Sequence, residues 1–526
     1  MCDVLLAHAY YLNLDAKQQA KMRPYPPLAT LYAASVLRDR GYDVRVFDAM
    51  LATDESDFAT ALADHEPQVV VLFEDNFNFL SKMCLARMRE AAITMLGMAL
   101  ERGCQVVMSG ADVTDHPEVY LEAGAGVCLL GEGEHAVAEV VDRWLGRSMA
   151  IDPVAGSAVL VGGALTSTGH RPIERHPDVF GLPARDLVDI DAYRAAWLSH
   201  HGEFSLNMVS TRGCPYSCNW CAKPIWGQRY SMRSPIAVAD EMTQLKHQHE
   251  PDHIWFADDI FGLRSDWLAE FADHIESTGG AVPFTIQSRC DLMNHEAVDA
   301  LSRSRCKEVW LGAESGSQRV LDAMDKGITV EEIREARQRL GEHNIRACFF
   351  IQLGYPGETW DDILKTIELV GELLPDDIGV SVSYPLPGTK FYEMVKSDLT
   401  DHANWQDSGD LAMIFAGTYS TAFYRELHHS LHDDLDLRRR LAGLSRAPHP
   451  QLSEVALEAH RERVAQRWAA LFEREPNERN PNPTRLRIPV VADAVPFDEA
   501  LVQLSAKTVA ANTVSANGAT LNGLHQ

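Results

Sequence analysis

Cys214-Pro215-Tyr216-Ser217-Cys218-Asn219-Trp220-Cys221 places three thiols within eight residues in the spacing C-x3-C-x2-C. An apolar run over 204–209 precedes it, followed by Ser210-Thr211-Arg212-Gly213. That order reads as a buried strand opening into a short loop. A loop this tight can turn its thiolates toward one face of a small metal centre, and it cannot form three useful disulfides. Three ligands complete three corners of a four-iron, four-sulfur cube and leave one iron open to a group that is not a cysteine. The competing readings are a zinc knuckle or plain core cysteines. Zinc sites pair two C-x2-C units or add histidines at fixed spacing, and no such partner lies nearby.

The chain around this loop has 526 residues, too many for one ordinary core, so two or three domains are expected. No run of eighteen apolar residues occurs, which predicts no transmembrane segment. Met1-Cys2-Asp3-Val4 enters a strand-like run without a basic leader, and ten cysteines then point to reduced thiols and a cytoplasmic location. A net charge of −27 argues against a nucleic-acid partner bound by phosphate neutralisation.

Upstream, strands are predicted at 2–8, 43–47, 68–73, 105–108 and 127–130, with helices at 27–40, 55–65, 80–102 and 132–145. This alternation predicts an α/β fold with a doubly wound parallel sheet, whose ligands bind over the carboxyl ends of the strands. Two glycine-bearing turns fall there, Ser109-Gly110-Ala111-Asp112-Val113-Thr114 and Gly131-Glu132-Gly133-Glu134. Glycine at such turns lets a ligand approach the backbone. No G-x-G-x-x-G opens the first helix, which weakens a dinucleotide reading.

Downstream, further strands are predicted at 253–257, 284–288, 308–312, 347–353 and 378–383, making six βα units with 204–209. Six units give an open, partial barrel with a lateral mouth. Working residues of such barrels gather at the carboxyl ends of the strands. The cysteines, Asp258, Arg289, Glu314, Gln352 and Tyr384 all fall at those ends, on one shared rim.

The cysteine triad, with Trp220 before its last member, resembles the radical S-adenosylmethionine (SAM) superfamily. That resemblance implies a [4Fe-4S] cluster on Cys214, Cys218 and Cys221, with SAM on the open iron and cleaved to a 5′-deoxyadenosyl radical. Asp258 is then a candidate for the SAM ammonium and Glu314 for the ribose side. Arg289 and Lys223 are candidates for the carboxylate, and Gln352 and Tyr384 for further contacts. Pro26-Pro27-Leu28-Ala29-Thr30-Leu31 and the two glycine turns resemble the cobalamin-binding domain found ahead of many radical SAM barrels. Ser109, Gly110, Thr114, Gly131, Glu132 and Gly133 are the corresponding cobalamin contacts. The D-x-H-x-x-G motif is absent, so cobalamin is expected base-off and without a histidine ligand.

The expected domains are a cobalamin-binding domain at 1–150, a linker at 151–203, the radical SAM barrel at 204–400, a helical region at 401–475 and a disordered tail at 476–526. The segment after Trp405 resembles the anaerobic magnesium-protoporphyrin monomethyl ester oxidative cyclase group. The function expected is cobalamin-dependent C-methylation of a small molecule, with an electron donor such as flavodoxin or ferredoxin. Oxidative cyclisation is the alternative, and a non-catalytic cofactor sensor the second alternative.

Overall fold

The structure is a computed structural model and describes residues 1–223, 225–400, 404–444 and 453–484. Its first sheet has seven strands in the order β2-β1-β3-β4-β5-β6-β7. The strands are β1 Val4–Ala7, β2 Val44–Phe47, β3 Val69–Phe73, β4 Gln105–Ser109, β5 Val127–Leu129, β6 Ser157–Val161 and β7 Ala164–Ser167. The first five pair in parallel. Every residue of β1 and β3 is buried, because helices cover both faces. Val4, Leu6, Val69 and Val71 pack with the helices Leu28–Asp39 and Glu134–Trp144. The alternate residues Leu5, Ala7, Val70 and Leu72 pack with Glu55–His65 and Ala86–Glu101.

Two local expectations change. The hairpin β6–β7, read from sequence as part of a linker, pairs antiparallel with β5 and extends the sheet. The helix predicted over 80–102 is broken into Phe79–Lys82 and Ala86–Glu101. At the break Cys84 takes a left-handed φ of 52°. Its carbonyl accepts from Asn404 Nδ2 at 2.8 Å, and Ala86 N donates to Trp405 O at 2.9 Å. Backbone groups that a continuous helix would satisfy internally are bonded to the C-terminal segment instead.

The second sheet has six strands, all parallel, in the order β15-β14-β13-β12-β11-β8. They are β8 Ser205–Met208, β11 His253–Phe256, β12 Phe284–Ser288, β13 Cys306–Glu314, β14 Arg346–Leu353 and β15 Ile378–Val382. A short antiparallel pair, β9 Thr211–Gly213 and β10 Tyr230–Met232, frames the cysteine loop. The chain-order strands and their intervening helices form the open half-barrel expected. The helix Thr421–Leu441 packs along the edge strand β15, and Glu454–Glu478 packs on that helix. Residues 476–484, expected within the tail, are tied to the body: the helix runs to Glu478, and Asn480 N and Thr484 N donate to Thr418 O and Ala416 O. The rest of the expected tail, 485–526, lies outside the described residues.

The two sheets share an interface. Val209, Ile225, Trp226 and Ala257 of the barrel side join the core cluster of β1, β3 and β5. Trp226 stacks on Phe77 with ring centroids 5.2 Å apart. At its centre Arg212 of β9 is 3% exposed and donates from Nη1 to Glu132 Oε1 at 2.8 Å and Glu134 Oε1 at 2.7 Å. We expect Arg212→Met to cost about 3–5 kcal/mol, because it leaves two buried carboxylates without their cation. The check is the thermal unfolding midpoint, and the deficit should shrink as pH falls. Burial already raises the Glu132 carboxyl, so its protonated form is the one that tolerates loss of Arg212.

Candidate active site

The cysteine loop starts at Gly213, which only glycine can occupy. Its φ is +77°, and a Cβ there would fall 2.3 Å from Arg229 O. Beneath the loop, Asp258 is buried and accepts four bonds. They come from Ser210 N at 2.9 Å, Ser210 Oγ at 2.9 Å, Thr211 N at 2.6 Å and Thr211 Oγ1 at 2.8 Å. Burial pushes its carboxyl up to about 6, against these donors. The carboxylate therefore clamps the turn from β8 into the loop, and both its oxygens are engaged inside the protein.

Asn219, between the second and third cysteines, anchors the loop to three other elements. Its N donates to Met324 O at 3.0 Å, its Nδ2 to Ala323 O at 2.7 Å, and its carbonyl accepts from Phe391 N at 3.0 Å. Tyr355 OH donates to its Oδ1 at 3.0 Å. Lys223 Nζ donates to Tyr216 O, closing the loop on itself. Arg289 stacks over the Tyr216 ring at 3.7 Å, with its Nη1 3.9 Å from Cys218 Sγ. Arg289 and Lys223 were expected from sequence at the SAM carboxylate, whereas Asn219 was not singled out although it sits inside the motif.

Cys214, Cys218 and Cys221 are unpaired and partly exposed. Burial pushes the Cys214 thiol up and the Cys221 thiol up to about 12, so neither is a thiolate on its own at neutral pH. Cationic iron is what holds such sulfurs deprotonated. Among the described residues no group of three or more His, Cys, Asp or Glu converges closely enough for a single ion. A donor set of three cysteines on one short loop, with no second C-x2-C pair or histidine beside it, fits three corners of a four-iron cluster better than zinc.

The remaining rim residues divide. Glu314 has a φ of 61° and accepts from Lys326 Nζ at 2.8 Å, both side chains being buried. That ammonium lies 6.0 Å over the Trp220 ring, so Glu314 reaches the loop through Lys326. Gln352 Nε2 donates to Ser383 Oγ at 3.2 Å, which leaves its Oε1 buried without a partner among the described residues. Trp220 Nε1, in the loop itself, is similarly unpartnered among the described residues. Such orphaned atoms fit a polar ligand with its own donors and acceptors. Tyr384 turns elsewhere. Its ring stacks on Trp405 at 4.3 Å, and its OH accepts from Trp405 N at 3.1 Å and Asn404 Nδ2 at 3.2 Å.

On the first sheet, Thr114 ties the two glycine turns together: its Oγ1 donates to Gly110 O at 2.8 Å and accepts from Gly131 N at 3.1 Å. The glycines are hemmed in by protein atoms. A Cβ at Gly110 would fall 2.8 Å from Glu74 Cβ, at Gly133 2.7 Å from Ser109 Oγ, and at Gly131 3.0 Å from Ile225 O. Glu132 is occupied by Arg212 and by Glu174 N, the latter at 2.7 Å. The close approach expected at these turns is thus made by neighbouring side chains and the barrel's own backbone.

Of the predicted contacts, Ser109 keeps a free polar atom, and the other free groups are residues not predicted. His8 Nδ1, Asn76 Oδ1, Ser81 Oγ, Ser109 Oγ and Asp115 Oδ2 are buried and unpartnered among the described residues. His8, Asn76 and Ser109 lie where the chain leaves the carboxyl ends of β1, β3 and β4, and Ser81 and Asp115 lie on the short helices that follow. Burial raises Glu74 and Asp115 each to about 7, so both carboxyls change protonation in the neutral range. A rim of unsatisfied donors and acceptors fits a large ligand decorated with amides, as a corrin is. The sequence reading passed over Glu74-Asp75-Asn76, whose place directly after an apolar strand is the signal that could have marked this rim.

Comparison with known proteins agrees with this arrangement. The profile described as Radical SAM superfamily matches residues 208–370, and that described as B12 binding domain matches residues 23–141. An uncharacterized methyltransferase, PH0819, of Pyrococcus horikoshii is 27% identical over 387 residues, covering 72% of this chain and 81% of that protein. The anaerobic magnesium-protoporphyrin IX monomethyl ester cyclase of Cereibacter sphaeroides is 24% identical over 390 residues, 71% of this chain and 61% of the cyclase. Two solved structures share the fold. The radical SAM methyltransferase TsrM of Kitasatospora setae, with cobalamin and a [4Fe-4S] cluster bound, has a TM-score of 0.63 at 19% identity, covering 75% of this chain and 78% of that one. The cobalamin-dependent radical enzyme OxsB, with aqua-cobalamin and SAM bound, has a TM-score of 0.66 at 13% identity, covering 91% and 80%. Three thiols lie on the first βα loop of a six-stranded half-barrel, and a B12-binding domain packs against that loop, so the chain is an enzyme that joins a B12-binding domain to a radical SAM domain.

Proposed function

We propose that this enzyme methylates an unactivated carbon of a small-molecule substrate, using a [4Fe-4S] cluster, SAM and cobalamin without a histidine ligand. The observation that carries the reading is the salt bridge from Arg212, two residues before Cys214, to Glu132 and Glu134. It sets the cysteine loop against the rim of the first sheet where the unpartnered polar atoms lie. When bound, the cluster supplies the electron that cleaves SAM to a 5′-deoxyadenosyl radical, and cobalamin supplies the methyl group.

The chain's own residues would do the rest. Cys214, Cys218 and Cys221 hold the iron, while Arg289 beside Cys218 offsets thiolate charge. Lys326 and Glu314 form a buried pair whose charges offer one group to each pole of SAM, and Gln352 Oε1 is a free acceptor on the same rim. Asp258 acts by holding the turn under the loop, and Tyr384 by docking the C-terminal segment through Trp405. On the cobalamin side, Ser109 Oγ is the available contact from the first glycine turn. Thr114, Gly110, Gly131, Glu132 and Gly133 shape that turn pair. An external one-electron donor of the flavodoxin or ferredoxin type would reduce the cluster.

The likeness to the cyclase over 390 residues supports oxidative cyclisation as a second reading. Turnover with methyl-labelled SAM separates them: methylation puts label into product, and cyclisation does not. A cofactor sensor would release no 5′-deoxyadenosine when reduced with SAM. Cys218→Ala should abolish the four-iron absorbance and bring iron per chain close to zero with the helical circular dichroism unchanged. Asn219→Ala should lower cluster occupancy and cost about 1–3 kcal/mol, the penalty for unsatisfied buried partners. Tyr355→Phe should cost less, because only one of the Asn219 bonds is lost. Iron analysis and thermal unfolding of the two variants test that order.

A further inference from the structure

A cavity of about 480 Å³ opens beside the edge strand β15, between the helices Ala16–Lys21 and Thr421–Leu441. It is well separated from the cysteine rim. Gly379, in its wall, precedes Ser383 at the carboxyl end of β15 by four residues, roughly 13 Å along a strand. Its volume suits a small molecule.

The wall is basic in a chain whose net charge is −27. Lys17, Lys21, His428, His429, His432 and Arg467 line it, with Asp433 the one carboxylate among the lining residues. Arg467 is already matched, because its Nη1 pairs with Asp433. Lys17 Nζ donates to Ser408 O at 3.0 Å, and neither Lys17 nor Lys21 forms an ion pair among the described residues. Burial lowers both ammonium groups, with Lys21 adding to the effect on Lys17 and Arg23 to that on Lys21.

His428 and His432 stand one helical turn apart with ring centroids 4.5 Å from each other. His428 Nδ1 is buried with no hydrogen-bond partner among the described residues. Burial, His432 and Lys17 hold the His428 imidazole down to about 3, and burial with Lys21 and Lys17 lowers His432 despite Asp377. The pocket is therefore a gathering of mutually repelling cations and imidazoles kept neutral. Neutral imidazoles also suit a metal. Two ammonium groups without an ion pair among the described residues oppose a cation, however, and no three ligating groups among those residues converge there.

We propose that this cavity binds a small-molecule anion, a phosphate or a clustered carboxylate, through Lys17, Lys21, His428 and His432. The site is independent of the methylation reading. Bound negative charge favours protonated imidazole, so binding takes up protons and tightens as pH falls. Asp377 and Asp433 work against the anion, while His429 and Arg467 work with it.

The test is calorimetric titration of the full-length, cluster-loaded protein with inorganic pyrophosphate and, separately, with tricarballylate. Saturable binding of at least one is expected, and which one binds tells phosphate from carboxylate. Affinity should rise about tenfold between about pH 8 and about pH 6, because the bound anion raises His432 from its lowered value toward neutral pH. Lys21→Gln and His432→Gln should each weaken it about tenfold, the worth of one charge-assisted bond, at unchanged cluster absorbance and unfolding midpoint. Failure of both anions to bind would overturn the proposal. So would equal binding to both variants, or tight binding of zinc alone that His432→Gln removes.

Discussion

Arg212 is the contact on which the arrangement of the two domains depends. Its guanidinium is enclosed by two carboxylates and by the rings of Phe180 at 4.1 Å, Phe77 at 5.4 Å and Tyr32 at 5.5 Å. A buried cation is tolerated only where its partners are fixed, and these partners belong to the first domain and its linker. The residue itself belongs to β9, which leads directly into the cysteines. One side chain thus ties the root of the loop to the carboxyl ends of the first sheet.

Around that pin the two sheets meet rim to rim. Trp226 and Phe77 stack across the interface, and Lys82 pairs with Asp259 beside them. The C-terminal segment closes the remaining side. Trp405 lies on Tyr384 and bonds to the helix break at Cys84, so first domain, barrel and C-terminal region share one junction. Loops that carry reactive groups need such support, because exposed thiols on an unanchored turn hold no fixed geometry.

The strands were legible in sequence because fully buried parallel strands read as unbroken apolar runs bounded by turn residues. Val69–Phe73 and Phe284–Ser288 fall within a residue of the spans predicted for them. The thiol triad was legible because its ligands are local. The helix break at Cys84 was not, since it depends on Asn404 and Trp405, some 320 residues away in sequence. Asp258 was read as a ligand group because acidic residues at strand ends are ambiguous by type. Only the positions of Ser210 and Thr211 reveal that it is an internal clamp. Likewise, the glycines at 110, 131 and 133 were read as room for a ligand, and only the packed structure shows protein atoms in the space beside them.

Local pattern in this chain therefore determined the order of elements, the open parallel barrel and the three cysteines, because each depends on residues a few positions apart. Tertiary structure decided which polar groups are spent and which are left over. Hydrogen-bond satisfaction is a property of packed neighbours, and those neighbours come from opposite ends of the sequence. It also brought lysines from the first domain beside histidines of the C-terminal helix, a juxtaposition that no spacing in the chain encodes.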